Sequence, residues 1–234
     1  MHSFVVNSLR FEKAGKRLIS VDELALPDSG IVFILGVNGS GKTSFLRCLA
    51  RLEKYRGNIE LFDRSLQDYG IKEIAQKVAW IPSEFRPSFS LSVKRVLLLG
   101  AFPKNNGIPS ISDERLAEKL CEDFGIASLI ERDVNSLSSG ELQKVQIIRG
   151  LMSGAHILLL DEPCAHLDPK SRHEVLESLR KHCKLALLVS HDYMIYKSWA
   201  DYTLLFEDNK FYQFKSGRLS DQELKKFYGI DSSY

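Results

Sequence analysis

Eight consecutive residues, Gly36-Val37-Asn38-Gly39-Ser40-Gly41-Lys42-Thr43, have the types and spacing of a loop that holds phosphate. An apolar run, Ile31–Leu35, precedes them and a helical pattern, Lys42–Glu53, follows. Strand, loop and helix in that order are the context this motif needs. Glycines let the backbone wrap a phosphate without Cβ clashes. The N–H groups at the helix start then face the anion, and the helix dipole favours the negative charge. Lys42 is placed to reach the β- and γ-phosphates of a nucleoside triphosphate, and Thr43 to set its hydroxyl on Mg²⁺. The expected nucleotide contacts are Gly36, Asn38, Gly39, Ser40, Gly41, Lys42, Thr43 and Ser44.

A pair of acids fits the same chemistry. His156-Ile157-Leu158-Leu159-Leu160-Asp161-Glu162 reads as a buried strand ending in two carboxylates. Asp161 can hold the Mg²⁺ shell, and Glu162, pointing elsewhere, can polarise the attacking water. Phosphoryl transfer asks mostly for positioning and charge stabilisation, which these groups supply.

The elements that must position these residues follow from the pattern. Ile31–Leu35, Ile157–Leu160 and Leu185–Val189 are short, nearly all-apolar runs of the kind buried on both faces of a parallel sheet. Helical patterns follow them, at Lys42–Glu53, Lys170–His182 and Asp192–Ser198. Alternation of this kind predicts an α/β fold with a mainly parallel sheet. Phe4–Leu26 reads as strands, with turns near Ala14-Gly15 and Pro27-Asp28, and Gly57–Phe62 as a further strand. Between about Glu84 and Asn135 the pattern turns helical, at Val93–Leu99 and Asp113–Phe124, with a loop carrying Pro103, Asn105, Asn106, Gly107 and Pro109. A hairpin, Thr203–Phe206 with Phe211–Phe214, and a short helix near Asp221–Tyr228 close the chain.

The bulk numbers bound the partners. A length of 234 residues suits one α/β domain, or a core with a subdomain. With 32 basic and 30 acidic residues the net charge is +2, which argues against a dedicated nucleic-acid binder. Cys48, Cys121, Cys164 and Cys183 lack the spacing of a zinc or redox pair and are expected to be reduced, mostly buried thiols. Met1-His2-Ser3-Phe4 has neither the basic start nor the apolar core of a signal peptide. No apolar run approaches the ~20 residues that span a bilayer, so any membrane role is expected to go through a partner.

Five runs together resemble the ABC (ATP-binding cassette) ATPases, in the order that family has them. Gly36–Thr43 matches the phosphate loop, and Leu137-Ser138-Ser139-Gly140-Glu141 resembles the family signature. Ile157–Glu162 resembles the acidic strand, Ala165-His166-Leu167-Asp168 the D-loop, and His191 the switch histidine. The resemblance covers nearly the whole chain. It implies a P-loop NTPase core with an N-terminal antiparallel β subdomain and an inserted α-helical subdomain. The expected division is a single domain over 1–234, with the core at 1–83 and 136–234 and the helical subdomain at 84–135. Two copies would pair head to tail, the phosphate loop of one facing Ser138, Ser139 and Gly140 of the other. In that reading Lys42, Glu162 and His191 are catalytic, Thr43 and Asp161 hold Mg²⁺, and Asp168 joins the nucleotide contacts. The N–H groups of Ser138, Ser139 and Gly140 at a helix start form a second anion site.

Three positions depart from the family. Ser83 follows Trp80-Ile81-Pro82 where the family usually has glutamine, too short to reach metal and water as glutamine does. A water bridging the gap, Glu84 reaching in, or altered coupling to a membrane partner are the alternatives. Ser139 replaces a glycine of the signature and Glu141 its glutamine. For the aromatic that stacks on adenine, the candidate is Phe11, with Lys13 in or near the usual place; the alternative is that Phe11 is a core strand residue.

The stretch Leu91–Gly100, the run from Ala101 to Leu137 and the tail from Leu219 to Ile230 are similar to ATPases that drive import of iron–siderophore, haem and cobalamin. That resemblance implies a subunit on the inner, cytoplasmic face of the membrane, bound to permease subunits and served indirectly by a substrate-binding protein. Two other readings stay open. One is a soluble ABC ATPase acting on nucleic acid or the ribosome, although the coiled-coil insertion or second cassette usual there is missing. The other is a nucleotide-binding regulatory module that does not hydrolyse ATP.

Overall fold

A computed structural model of the chain describes residues 2–85, 87, 90–191, 198–207 and 209–215, with side chains through residue 213. The expected helices at Asp192–Ser198 and Asp221–Tyr228 lie wholly or almost wholly outside the described residues. In chain order the first elements are β1 (His2–Lys13), β2 (Lys16–Pro27), β3 (Gly30–Leu35), α1 (Lys42–Leu49), β4 (Arg56–Leu61) and β5 (Arg64–Ser65). Next come α2 (Ile71–Ala75), β6 (Val78–Ile81), α3 (Val93–Gly100), α4 (Phe102–Asn105), α5 (Ile111–Asp123) and α6 (Ser139–Met152). The chain continues through β7 (Ile157–Asp161), α7 (Pro169–His182), β8 (Leu185–Val189), β9 (Tyr202–Glu207) and β10 (Lys210–Lys215). Two compact units divide it: Met1–Asp68 with Leu187–Tyr234, and Tyr69–Ala186.

The first unit contains an antiparallel sheet in the order β2-β1-β4-β5. Ala14 and Gly15 join β1 to β2 with φ of 50° and 75°, the positive pair that a tight hairpin turn requires. Phe4, Val6, Leu9 and Phe11 are the buried apolar residues of β1. The shift from even to odd positions occurs at Ser8, whose φ is 54°. Opposite it Gly57 takes φ of 100°, and a Cβ there would lie 2.2 Å from the Ser8 carbonyl oxygen. The unit's other strands run β10-β9-β3, with β3 parallel to β9 and β9 antiparallel to β10. Ile31 through Leu35 are all buried, as expected of a strand covered on both faces.

Helix α1 is shorter than its apolar pattern. It stops at Leu49 because Arg51 turns left-handed, with φ of 56°. Arg51 N–H donates to Cys48 O at 3.0 Å and Leu52 N–H to Arg47 O at 2.8 Å, the paired bonds of a Schellman stop. Periodicity cannot report that stop, since Leu52 still falls in phase.

In the second unit β6 and β7 are parallel, with Ile81 paired to Leu160. Helices α3, α5 and α6 pack on one another. Ser110 and Asp113 form a capping box at the start of α5, and Ser110 N–H donates to Asp113 Oδ2 at 2.9 Å. That bond, with the Ser110 hydroxyl, pulls the Asp113 carboxyl down to about 2. The segment expected as a loop around Pro103 carries the one-turn helix α4, with proline in its first turn, where a missing N–H costs no bond. Asn106, at φ of 57°, ends it. Helices α3, α4 and α5 all fall between residues 84 and 135. None of the four cysteines forms a disulfide, and burial pushes the thiols of Cys48 and Cys183 up to about 12 and that of Cys121 to about 11.

One contact fixes α3 against α6. A Cβ at Gly100 would come within 2.2 Å of the Arg149 carbonyl oxygen. Gly100→Ala is therefore expected to push the helices apart and cost about 1–3 kcal/mol, as overpacking does. Urea denaturation checks this. An unchanged midpoint would mean that the two helices can separate freely.

Candidate functional site

In the first unit the phosphate loop is built by close packing behind and open space in front. A Cβ on Gly36 would lie 2.8 Å from the Phe206 carbonyl oxygen, and one on Gly41 3.0 Å from that of Leu18. At Gly39, with φ of 73°, a Cβ would meet nothing within 4 Å. The loop is thus backed by β9 and β2 and faces open space at its tip. Phe211 of β10 completes the floor, its ring 4.3 Å from Phe45 of α1 and 4.3 Å from Phe206.

Lys42 is only 5% exposed, and its ammonium donates to Gly36 O at 2.7 Å and Val37 O at 2.8 Å. Gly41, the N-cap of α1 with φ of 115°, has no side chain to cap the helix, and the first turn holds no acid. The leading N–H groups of an α-helix need acceptors from outside it. Ser40 Oγ is buried without a hydrogen-bond partner. An uncapped helix start, a buried ammonium and an orphaned hydroxyl fit a phosphate group. Asn38 and Thr43 are exposed at this loop and Ser44 is half-buried in the first turn of α1. His191 belongs to the same unit and is exposed. Ser190 N–H, one residue earlier, donates to Ile34 O at 3.4 Å, which brings the strand end before His191 beside the strand end before Gly36. Phe11 is 4% exposed within β1, so it is a core residue and not the adenine platform considered above.

The second unit holds the two acids and the serine-rich run. Asp161 ends β7 and is 6% exposed. Glu162 follows with φ of 49°, a left-handed conformation that turns its side chain away from the line of the strand. Ser138 is the N-cap of α6. Glu141 Oε2 accepts from Ser138 N–H at 2.8 Å and from its hydroxyl at 2.8 Å, while Glu141 N–H donates to Ser138 Oγ at 3.3 Å. This capping box revises the three-residue anion site: Ser138 N–H is committed to Glu141, leaving the N–H groups of Ser139 and Gly140. The Ser138 N–H, then its hydroxyl, hold the Glu141 carboxyl below its ordinary range. The signal was readable, since Ser-x-x-Glu before a helix is the capping-box pattern.

Gly140 lies so close to the segment before α7 that a Cβ would sit 3.1 Å from Leu167 Cδ2 and 3.2 Å from the His166 carbonyl oxygen. A cavity of about 380 Å³ opens there, lined by Ser138, Ser139, Gly140, Glu141, Lys144 and Asp168 among others. Lys144, 6% exposed, pairs with Glu174 at 2.8 Å, a buried cation that the sequence pattern did not single out. Asp168 Oδ1 accepts from the N–H groups of Lys170 at 3.0 Å and Ser171 at 3.1 Å, so its carboxylate caps α7. These bonds lower its pKa, the Ser171 hydroxyl and N–H first.

The family model described as "ABC transporter" matches residues 20–165. A hemin import ATP-binding protein of Deinococcus radiodurans is 33% identical over 214 residues, covering 88% of this chain and 81% of that protein. An iron(3+)-hydroxamate import ATP-binding protein of Bacillus subtilis is 31% identical over 199 residues, covering 80% and 74%. Among solved structures, an ATP-binding cassette of an ABC transporter in its ADP conformation superposes with a TM-score of 0.82 over 98% of each chain. At 18% identity that likeness speaks for the fold alone.

The capping box has a pH signature. A carboxyl whose folded pKa is depressed contributes stability above its unfolded pKa and loses it as pH falls through the folded value. The thermal midpoint of the wild type is expected to exceed that of Glu141→Ala by a constant margin above about pH 5, and the margin to shrink below about pH 4.3. Solvent screening keeps the neutral-pH effect to about 1 kcal/mol or less. Melting curves across that range measure it.

Proposed function

Since this chain belongs to the ABC transporter family, we propose that it is the ATP-hydrolysing subunit of an importer whose cargo is a metal chelate such as haem or an iron–siderophore. ATP binding and ATPase activity come with the family. The import role and cargo class rest on relatives named for hemin and iron(3+)-hydroxamate import. The observation that carries the nucleotide reading is the start of α1. There Gly41 offers no cap, Lys42 is buried against loop carbonyls, and Ser40 Oγ has no partner.

In this reading Lys42 sets positive charge against the β- and γ-phosphates, and backbone N–H groups of the loop and helix start take phosphate oxygens, Ser40 N–H being donated to Val37 O at 3.3 Å. Mg²⁺, for which the Thr43 hydroxyl and the Asp161 carboxylate are hard oxygen donors, supplies further charge neutralisation when bound. Among the described residues no three His, Cys, Asp or Glu side chains cluster as a metal site, which suits an ion held largely by phosphate and water. Glu162 accepts a proton from the attacking water, and His191 holds that water and the γ-phosphate. Two copies pair head to tail, so that Ser139 and Gly140 N–H groups of one close on the nucleotide of the other. ATP closes the pair, hydrolysis releases it, and permease subunits convert the motion into transport.

No helix among the described residues is long and apolar enough to cross a membrane. A membrane partner needs a docking face, and the helices after β6 offer one. Leu99 on α3 and Phe102 on α4 are 59% and 57% exposed, with Ile71 on the adjoining α2 at 85%. Exposed apolar side chains of that size suit a protein partner.

Phosphate release by the wild type is expected to exceed that of Lys42→Ala by at least about a hundredfold. Equal background rates would favour a non-hydrolysing module. Glu162→Gln is expected to elute as a dimer with ATP and a monomer without it. A variant that stays monomeric with ATP would sink the head-to-tail closure.

A further inference from the structure

Another cavity, of about 370 Å³, opens in the Tyr69–Ala186 unit beside α6. Ser83, Phe85, Ser139, Leu142, Gln143 and Gln146 are among the residues that line it. Gln146 is 1% exposed and Gln143 6%. Neither amide atom of Gln146 has a hydrogen-bond partner, and neither does Gln143 Nε2. Native proteins satisfy nearly all buried polar groups, with ordered water where protein atoms do not suffice. The surrounding helix positions are filled by apolar side chains: Val145, Ile147 and Ile148 are fully buried. Packing alone would be met by leucine at 146. Two buried amides on one short stretch of α6, both lining one cavity, point to an occupant that makes hydrogen bonds.

The cavity is far larger than the roughly 30 Å³ that one water occupies in the liquid, and it has donors and acceptors on several sides. Gln146 offers both an acceptor and donors, Gln143 a donor, and the hydroxyls of Ser83 and Ser139 both kinds. Water matches that mixture better than an anion, which could not satisfy Gln146 Oε1. The position of Ser83 gives the site a direction. Strands β6 and β7 are parallel neighbours with Ile81 opposite Leu160. Ser83 and Glu162 each stand two residues beyond those partners, at the same end of adjacent strands. Glu84 also lines the cavity but is exposed, and its carboxylate cannot serve Oε1 as a donor.

We propose that this cavity is a built water site. Gln143 and Gln146 anchor ordered water, and Ser83 extends the chain of hydrogen bonds toward Glu162. The two glutamines are then positioning residues for the water that Glu162 activates, and the amides sit on α6 instead of at residue 83. Water-mediated bonds are nearly as favourable as direct ones, so a short Ser83 side chain is no handicap while the anchors remain. The inference rests on the hydrolytic reading above, and its tests separate from it.

The direct test is a crystal structure of the full chain at a resolution that reveals water. Water is expected within hydrogen-bond distance of Gln146 Oε1 and Nε2, and a dry cavity overturns the proposal whatever the enzyme's activity. The kinetic test uses Gln146→Leu, which keeps apolar volume and removes the anchor. Its kcat is expected to fall about tenfold with KM for ATP within about twofold. Adding Ser83→Gln to that variant is expected to restore most of the loss, because an amide at 83 spans the cavity itself. A merely unsatisfied amide predicts the reverse: a higher Tm for Gln146→Leu and an unchanged kcat, and that result overturns the proposal. Loss of activity without rescue also overturns it. A wild type no faster than Lys42→Ala would instead speak against hydrolysis, and the crystallographic arm would still decide the water site.

Discussion

A loop that binds phosphate through its backbone must leave N–H groups for the ligand, even where one of them, Ser40 N–H, is donated to Val37 O at 3.3 Å. The rest of the first unit answers to that constraint. Gly36 and Gly41 allow the loop to press on β9 and β2, where a Cβ would lie 2.8 Å and 3.0 Å from backbone carbonyl oxygens. Lys42 folds inward and ties the carbonyls of Gly36 and Val37 together, which holds the opposite side of each peptide outward. With no capping side chain at Gly41, the helix start keeps the positive end of its dipole for a ligand. Helix α6 in the second unit solves the same end problem differently. Ser138 and Glu141 satisfy each other, so that helix is stable without a ligand and has less to offer one.

Much of this was legible in the residues. All-apolar runs such as Ile31–Leu35 reported buried strands, because a strand covered on both faces has no polar side to alternate with. Gly-rich spacing reported the loop, because φ above zero and close approach leave glycine little competition at 39 and 41. What stayed hidden was set by contacts far apart in sequence or by single dihedrals. The stop at Arg51 is a left-handed residue inside a pattern that still looks helical. Helix α4 was masked by Pro103 and its neighbours, which read as loop although proline suits a first turn. Phe11 could be read as a surface platform or a core residue until its burial was known. The role of Glu141 lay in plain view but was covered by the signature it interrupts.

Helix α6 joins these threads. Its first turn carries the capping box, its middle carries two orphaned amides, and its last turn meets Gly100 of α3 at its backbone. Lys144 adds a buried ion pair to α7, beside the apolar Val145, Ile147 and Ile148. Buried polar groups cost stability unless each is paired, which makes such a helix sensitive to single substitutions.

The hairpin β9–β10 gives the phosphate loop its floor, through the Phe206 carbonyl under Gly36, the Phe206 ring near Gly41, and Phe211 against Phe45. The family match ends at residue 165, well before that hairpin begins. A fragment cut to the recognisable motifs would therefore keep every residue that names the loop and lose the surface that shapes it. Motif content and a self-sufficient binding unit are different lengths of chain here, and the difference includes the β9–β10 pair and, at the other end, Leu18 behind Gly41.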